Sequence, residues 1–299
     1  NETSATETYG DINTWDVSNI TSFVNLFAFK TGFNSDISDW DVSNGTSFQN
    51  MFYGAKKFNQ DIGRWDVSSG KSFESMFSDA DSFIQDIGNW DVSNGTSFRN
   101  MFYGTESFNQ HIGDWDVSNA TDFLGMFARS ENFNQDISDW DVSSGIDFST
   151  MFQGTYVFNK DISDWDVSSG IYFGGMFEDA DAFNHDIGSW DVSNGTEFLY
   201  MFYYGSHAQG SSSFNQDLSN WNVKDTAKLD YMFKGAELMQ GDFIDGTPEI
   251  TYFNQKRLSS DPITGQTFNL DVDGNGTISA LGDGLMVIRK LFGAAFEGE

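Results

Sequence analysis

The chain has 299 residues, no cysteine and a formal charge of −30. Nothing in such a balance could neutralise phosphates, which argues against nucleic acid and equally against anionic membranes. Without cysteine there is no disulfide framework, no thiolate zinc site and no cysteine nucleophile. No apolar run approaches a membrane span. The charge suits a medium rich in salt or divalent cations, where self-repulsion is screened.

Residues 1–10, "NETSATETYG", are polar and contain no signal peptide; if the chain is exported, position 1 is expected to be the mature terminus, a signal peptide having been removed. Repetition then begins. Tryptophan stands at 15, 40, 65, 90, 115, 140, 165 and 190, always 25 residues apart, and then at 221 after a longer step. Phe58 recurs as Phe33, Phe83, Phe108, Phe133, Phe158, Phe183 and Phe214, and a Met-Phe pair recurs from Met51–Phe52 to Met232–Phe233. A constant period in this range is the signature of a stack in which each unit buries its apolar face against its neighbours.

Residues 58–82 serve as the type repeat. "SSGKSFESMF" places Phe73, Met76, Phe77 and Ala80 on one helical face, which predicts a helix of about two turns. In "DIGRWDVSSG", Ile62, Trp65 and Val67 have the L-x-x-L-x-L spacing of leucine-rich repeats. That spacing predicts a short strand around Trp65-Asp66-Val67, with Trp65 and Val67 inward and Arg64, Asp66 and Ser68 outward. The expected fold is therefore an α/β solenoid, a leucine-rich-repeat-like stack of about nine coils, each a short parallel strand plus a short helix. Its parts are an N-terminal segment (1–10), the repeat solenoid (11–236), an irregular cap and connector (237–268) and a C-terminal calcium segment (269–299).

"FNQDIGRWDVSSGKSFESMF" resembles the repeat of BspA-like bacterial surface proteins, the type found in mycoplasma and Listeria surface lipoproteins, over roughly residues 9–236. The resemblance implies an extracellular or surface-attached protein used in adhesion or display, and no catalytic residues.

Two acidic columns follow from stacking. Asp16, Asp41, Asp66, Asp91, Asp116, Asp141, Asp166 and Asp191 form the first; Asp36, Asp61, Asp86, His111, Asp136, Asp161, Asp186 and Asp217 form the second. Unit charges at a strand spacing of about 4.8 Å repel by about 1 kcal/mol in water and about 3–4 kcal/mol at an effective dielectric of 20. Either backbone amides in the turns offset this, or divalent cations bridge the columns. The Asn of "FNQD" is read as a buried turn or ladder amide in seven copies, with Ile84 as the exception.

The many carboxylates invite comparison with a glycosidase acid and base, but their place in the period explains them better. His111, His185 and His207 share no context of a triad or zinc site. The Asn-x-Thr sequons mostly coincide with the Asn-Gly-Thr turn, so turn chemistry explains them before glycosylation does. The insert "YYGSHAQGSSS" reads as a flexible bulge or a binding loop.

In the tail, Asp271, Asp273, Asn275, Gly276 and Thr277 match positions 1, 3, 5, 6 and 7 of a calcium loop, followed by the helical pattern of "GDGLMVIRKLFG". This resembles a single dockerin-type segment. The closing carboxylate departs from the pattern, since position 12 is Gly282 and Asp283 is thirteenth. The expected metal ligands are Asp271, Asp273, Asn275, Thr277 and Asp283, and the expected cofactor is calcium. Dockerins normally carry two such segments, so cohesin binding does not follow.

A stack exposes an unpaired edge at each end. The reading that follows is a non-enzymatic, calcium-stabilised surface protein that assembles head to tail with other copies into a fibre or array. The alternative is a monomeric stalk or adhesin that presents its sheet face to a glycan or protein, with an enzyme ranked third.

Overall fold

The structure, a computed structural model, describes residues 7–205, 211–239 and 243–253. Its organising feature is a row of hydrogen bonds that joins each 25-residue coil to the next. In the type repeat the amides of Phe73, Ser75, Phe77 and Asp79 donate to the carbonyls of Ser97, Arg99, Met101 and Tyr103 at 3.0, 2.8, 2.9 and 2.7 Å. The intervening amides of Met76, Ser78 and Ala80 turn back on the carbonyls of Phe73, Ser75 and Phe77 in their own coil. Alternate amides thus serve the stack and the turn.

Such alternation requires the backbone to change hand. Ser75 and Asp79 have φ of 52° and 54°, each at the third position of a turn closed by an i→i+3 bond. A type II turn needs a positive φ at that place. Equivalent pairs recur along the stack, for example Asn100 with Gly104 and Gly125 with Arg129.

The α/β expectation is overturned here. From residue 10 onward, the described residues contain no α-helix and no multi-residue strand, only the 3-10 turns Ile12–Thr14 and Ile250–Tyr252; residues 7–9 are helical. The eight parallel contacts from Ser22↔Ser47 to Glu197↔Lys228 are single-residue bridges, so no sheet forms. A helix across Phe73–Ala80 would send every amide to the carbonyl four residues back. The next coil takes alternate amides instead. The strand fails for a different reason: the Trp65 amide closes a turn on Ile62, and Asp66 turns the chain by accepting from Ser68.

The side chains nevertheless face as their spacing dictates. Phe73, Met76, Phe77 and Ala80 are fully buried, as are Phe58 and Ile62. Equivalent rings lie over one another in columns, with Phe52–Phe77 centroids 5.6 Å apart and Phe77–Phe102 5.8 Å. Within a coil, Phe77 and Phe83 stack at 4.0 Å. Trp115 and Trp140 are parallel within 1° at 6.5 Å. Offset aromatic pairs contribute about 0.5–1.5 kcal/mol beyond the area they bury, so each added coil reinforces the next.

On the tryptophan flank, side chains do the stitching. From Trp40 onward each indole N–H donates to the isoleucine carbonyl of the preceding coil, among them Trp65 to Ile37, Trp90 to Ile62, Trp115 to Ile87 and Trp140 to Ile112, at 3.0–3.1 Å, while Trp15 donates to the Tyr9 carbonyl. Leucine could fill the space but could not donate. The longer copy keeps register: Phe198 and Phe202 donate to Lys228 and Met232, and Trp221 still reaches Ile187.

Glycine ends the turn after Val142, where a Cβ on Gly145 would lie 2.3 Å from Cζ of Phe148 and 2.9 Å from the Val142 carbonyl. Ala120 occupies the same place in its copy, and there the Phe98–Phe123 spacing widens to 6.2 Å against 5.4 and 5.5 Å on either side. One methyl is absorbed by a shift of the ring. Gly145→Ala is therefore expected to cost about 1 kcal/mol or less, and Gly145→Val about 1–3 kcal/mol through overpacking. Urea midpoints of the two variants would test this ranking.

Candidate functional site

The first acidic column is occupied by turn chemistry. Every aspartate in it accepts from the amide of the serine two residues on: Asp16 from Ser18, Asp41 from Ser43, Asp66 from Ser68, Asp91 from Ser93, Asp116 from Ser118, Asp141 from Ser143, Asp166 from Ser168 and Asp191 from Ser193. In the second, Asp36, Asp136, Asp161 and Asp217 accept from a serine amide, and Asp61, Asp86 and Asp186 from a glycine amide. His111 instead meets Asp114 at 2.9 Å.

At Asp41 these bonds outweigh the repulsion from its neighbour in the column. The Ser43 hydroxyl and then its amide hold Asp41 below the ordinary carboxylate range, while Asp16 pushes the other way with the smallest influence. Asp91 and Asp166 are lowered by the same two groups of Ser93 and Ser168. A carboxylate whose folded pKa is depressed contributes stability that is present above its unfolded pKa and lost as pH falls through the folded value. Ser93→Ala is expected to raise the Asp91 pKa and move its share of acid unfolding to higher pH. Carboxyl titration by NMR would show the upward shift.

The Asn column bridges coils where the backbone does not. Oδ1 of Asn34, Asn59, Asn109, Asn134, Asn159 and Asn184 accepts from the backbone amide of the next coil, Asn59, Ile84, Asn134, Asn159, Asn184 and Asn215 in turn. They are ladder amides, as expected, but exposed or half-buried, not buried. Ile84 has no acceptor to offer Asn109 and stands 45 % exposed. Ile84→Asn is expected to complete the ladder and stabilise the protein by about 0.5–1.5 kcal/mol. A thermal melt that is unchanged or lowered would contradict that.

One feature of the flank escaped sequence reasoning. The second left-handed position alternates between a large residue and glycine: Phe29, Gly54, Asp79, Gly104, Arg129, Gly154 and Asp179. Phe29, Asp79 and Arg129 lie over Gly54, Gly104 and Gly154 of the next coil. The true period on this flank is two coils, and the residues after each Met-Phe pair carry it. The glycines leave a groove of about 500 Å³ lined by Lys56, Asp79, Asp81, Glu106, Arg129, Glu131, Tyr156, Glu178 and Asp179, among others. Burial, and then Asp81, raises the Asp79 pKa. Arg129 lies over the Tyr103 ring at 5.6 Å, and Lys56 pairs with Asp81 at 3.1 Å.

The two ends of the stack differ. At the C-terminal end, residues 243–253 lie across the last coil. Phe253 stacks on Trp221 at 6.4 Å, and Phe243 meets Phe233 tilted by 32° at 4.9 Å. At the N-terminal end, Trp15, Val24 and Leu26 are 39 %, 38 % and 44 % exposed. A cavity of about 700 Å³ opens there against Ile12, Trp15, Phe27, Lys30, Phe33 and Asp36.

The residues expected to hold calcium, Asp271, Asp273, Asn275, Thr277 and Asp283, lie outside the described residues. Among the described residues, no three acidic or histidine side chains gather in a way that could hold a metal ion. No helix among them is long and apolar enough to cross a membrane.

Stacked copies with one register define a tandem-repeat protein. The family profile described as "Mycoplasma protein of unknown function, DUF285" matches residues 2–110, 84–172 and 146–246, and the chain belongs to that family. No curated protein and no solved structure matches the chain.

Proposed function

We propose that the protein is a non-enzymatic structural repeat protein of the cell surface or extracellular space, stabilised by calcium and assembling head to tail into a fibre or array. The observation that carries this reading is the asymmetry of the ends, with an apolar N-terminal face open to the described residues beside a covered C-terminal one. The repeated carboxylates support the non-enzymatic part, because turn amides engage them in copy after copy and serine hydroxyls in several. The calcium part rests on the loop pattern of residues 271–283, and the surface location on the resemblance to surface-protein repeats. Electron microscopy and light scattering in millimolar calcium, with and without chelator, test it: fibres that dissolve on chelation are expected, and monodisperse monomers throughout would overturn it.

A monomeric adhesin is the second reading. It is favoured by one observation, the stacked pair Tyr200 and Tyr231 at 5.3 Å, both left-handed and Tyr200 39 % exposed, on the flank of the last two coils. Bulky residues adopt that backbone region at a cost of about 1–2 kcal/mol. Retention on a glycan array that is lost in Tyr200→Ser would support this reading over assembly.

A further inference from the structure

Along the row from Phe73 to Asp79 and its copies the hydrogen bonds that join coils have a direction, whereas one amide per coil beside that row, such as Thr46 to the Thr21 carbonyl, runs the other way. Each coil offers alternate amides toward its C-terminal neighbour and the matching carbonyls toward its N-terminal neighbour. At the N-terminal face, the carbonyls equivalent to Ser97, Arg99, Met101 and Tyr103 are those of Ser22, Val24, Leu26 and Ala28. No described residue donates to these four. These four positions are thus a row of acceptors flanked by exposed apolar side chains, and they fit a surface that presents alternate N–H groups.

The last coil is such a surface. Its alternate amides are those of Leu229, Tyr231, Phe233 and Gly235. Residues 243–253 engage the middle two: the Phe233 amide donates to the Gly246 carbonyl at 2.8 Å, and the Tyr231 amide to Oγ1 of Thr247 at 2.8 Å. Lys234 pairs with Asp245 at 3.2 Å beside them. The segment follows no repeat pattern, yet it stands where a tenth coil would begin. It imitates one.

We propose that the N-terminal face of one copy docks on the last coil of a second copy, and that residues 243–253 occupy that docking surface until they are displaced. This rests on the head-to-tail reading above and specifies its two surfaces and its gate. Two N-terminal faces cannot pair, since carbonyls would meet carbonyls. A second copy is the occupant because, among the described residues, its C-terminal coil offers both the donor spacing and a matching apolar column, Phe233 against Phe27. The polarity makes the assembly unidirectional, with the open acceptor face at one end.

The cap can be unseated at one atom. A Cβ on Gly246, where φ is +75°, would lie 2.2 Å from both the backbone N and Cα of Lys234. Sedimentation velocity over a hundredfold range of concentration should show the full chain as a monomer at low concentration and Gly246→Val as a concentration-dependent series of longer species. Phe253→Asp should act alike, from the other side of the cap. Leu26→Asp, a change on the exposed face, should return either variant to monomer. Capped and uncapped chains that remain equally monomeric would overturn the proposal, and so would aggregates of Gly246→Val that persist in Leu26→Asp. Calcium-dependent fibres of the unaltered chain that are indifferent to Leu26→Asp would leave the assembly reading standing and remove this one.

Discussion

Trp140→Ala is expected to lower the stability of the protein by about 3–5 kcal/mol, the range for removing a large buried aromatic side chain. The indole is 3 % exposed and lies parallel to Trp115 and Trp165 at 6.5 Å on both sides, so its loss opens a cavity shared by three coils. It also removes the N–H that reaches the Ile112 carbonyl. Trp140→Phe separates the two effects: it keeps a stacked ring and loses the donor, with about 1–3 kcal/mol expected from the smaller volume and the missing bond. Equilibrium unfolding in urea, monitored by far-UV circular dichroism, measures both. A Trp140→Ala chain within 1 kcal/mol of the parent would mean that the column does not carry the stack.

The second large effect is one of register. Excision of residues 83–107, one full coil, joins Ser82 to the copy of its own successor and is expected to give a folded, cooperatively melting protein, because each coil touches only its neighbours. Excision of residues 82–107, one residue more, leaves a coil one residue short and pulls donors from their carbonyls and rings from their columns where the two stretches meet. That loss is expected to be on the order of 5 kcal/mol or more, comparable with a whole domain's net stability of about 5–15 kcal/mol. Insertions are more forgiving: the copy between Trp190 and Trp221 carries extra residues, and Phe202 still donates to Met232. A surplus can bulge outward, whereas a deficit leaves a ladder amide without its partner. Calorimetry on the two excisions distinguishes them, and equal melting would refute a fixed register.

The stacking and the inward-facing residues were legible in the sequence because both depend on spacing alone. Phe73, Met76, Phe77 and Ala80 repeat at intervals that put them together whatever backbone connects them, and all four are buried. The element type was not legible. The same intervals suit an α-helix and a ribbon of turns with alternating hand, and what separates them is where the amides go. A signal existed in the residues at positive φ, where Asn50, Asn100, Gly125 and Gly175 are of the kinds that tolerate the left-handed region. Ser75, Thr150 and Tyr200 in the same column obscured it.

The carboxylate columns were legible as positions, with their occupants undecided. Asp-x-Ser is a short-range turn pattern, and it is the serine two residues on that the structure brings to each of the eight Asp of the first column. The polarity of the ends could not be read at all. It depends on which carbonyls a neighbour fails to use, and a sequence spells donors and acceptors identically at every residue.

The central claim is that alternate amides leave the coil to bond the next one. NMR scalar couplings measured across hydrogen bonds test it residue by residue, and in the middle of the stack the decisive amide is that of Phe102. A coupling from the Phe102 amide nitrogen to the carbonyl carbon of Met126, whose oxygen lies 2.9 Å from it, is predicted. A coupling to the carbonyl of Phe98 instead, the partner an α-helix would supply, would contradict the account.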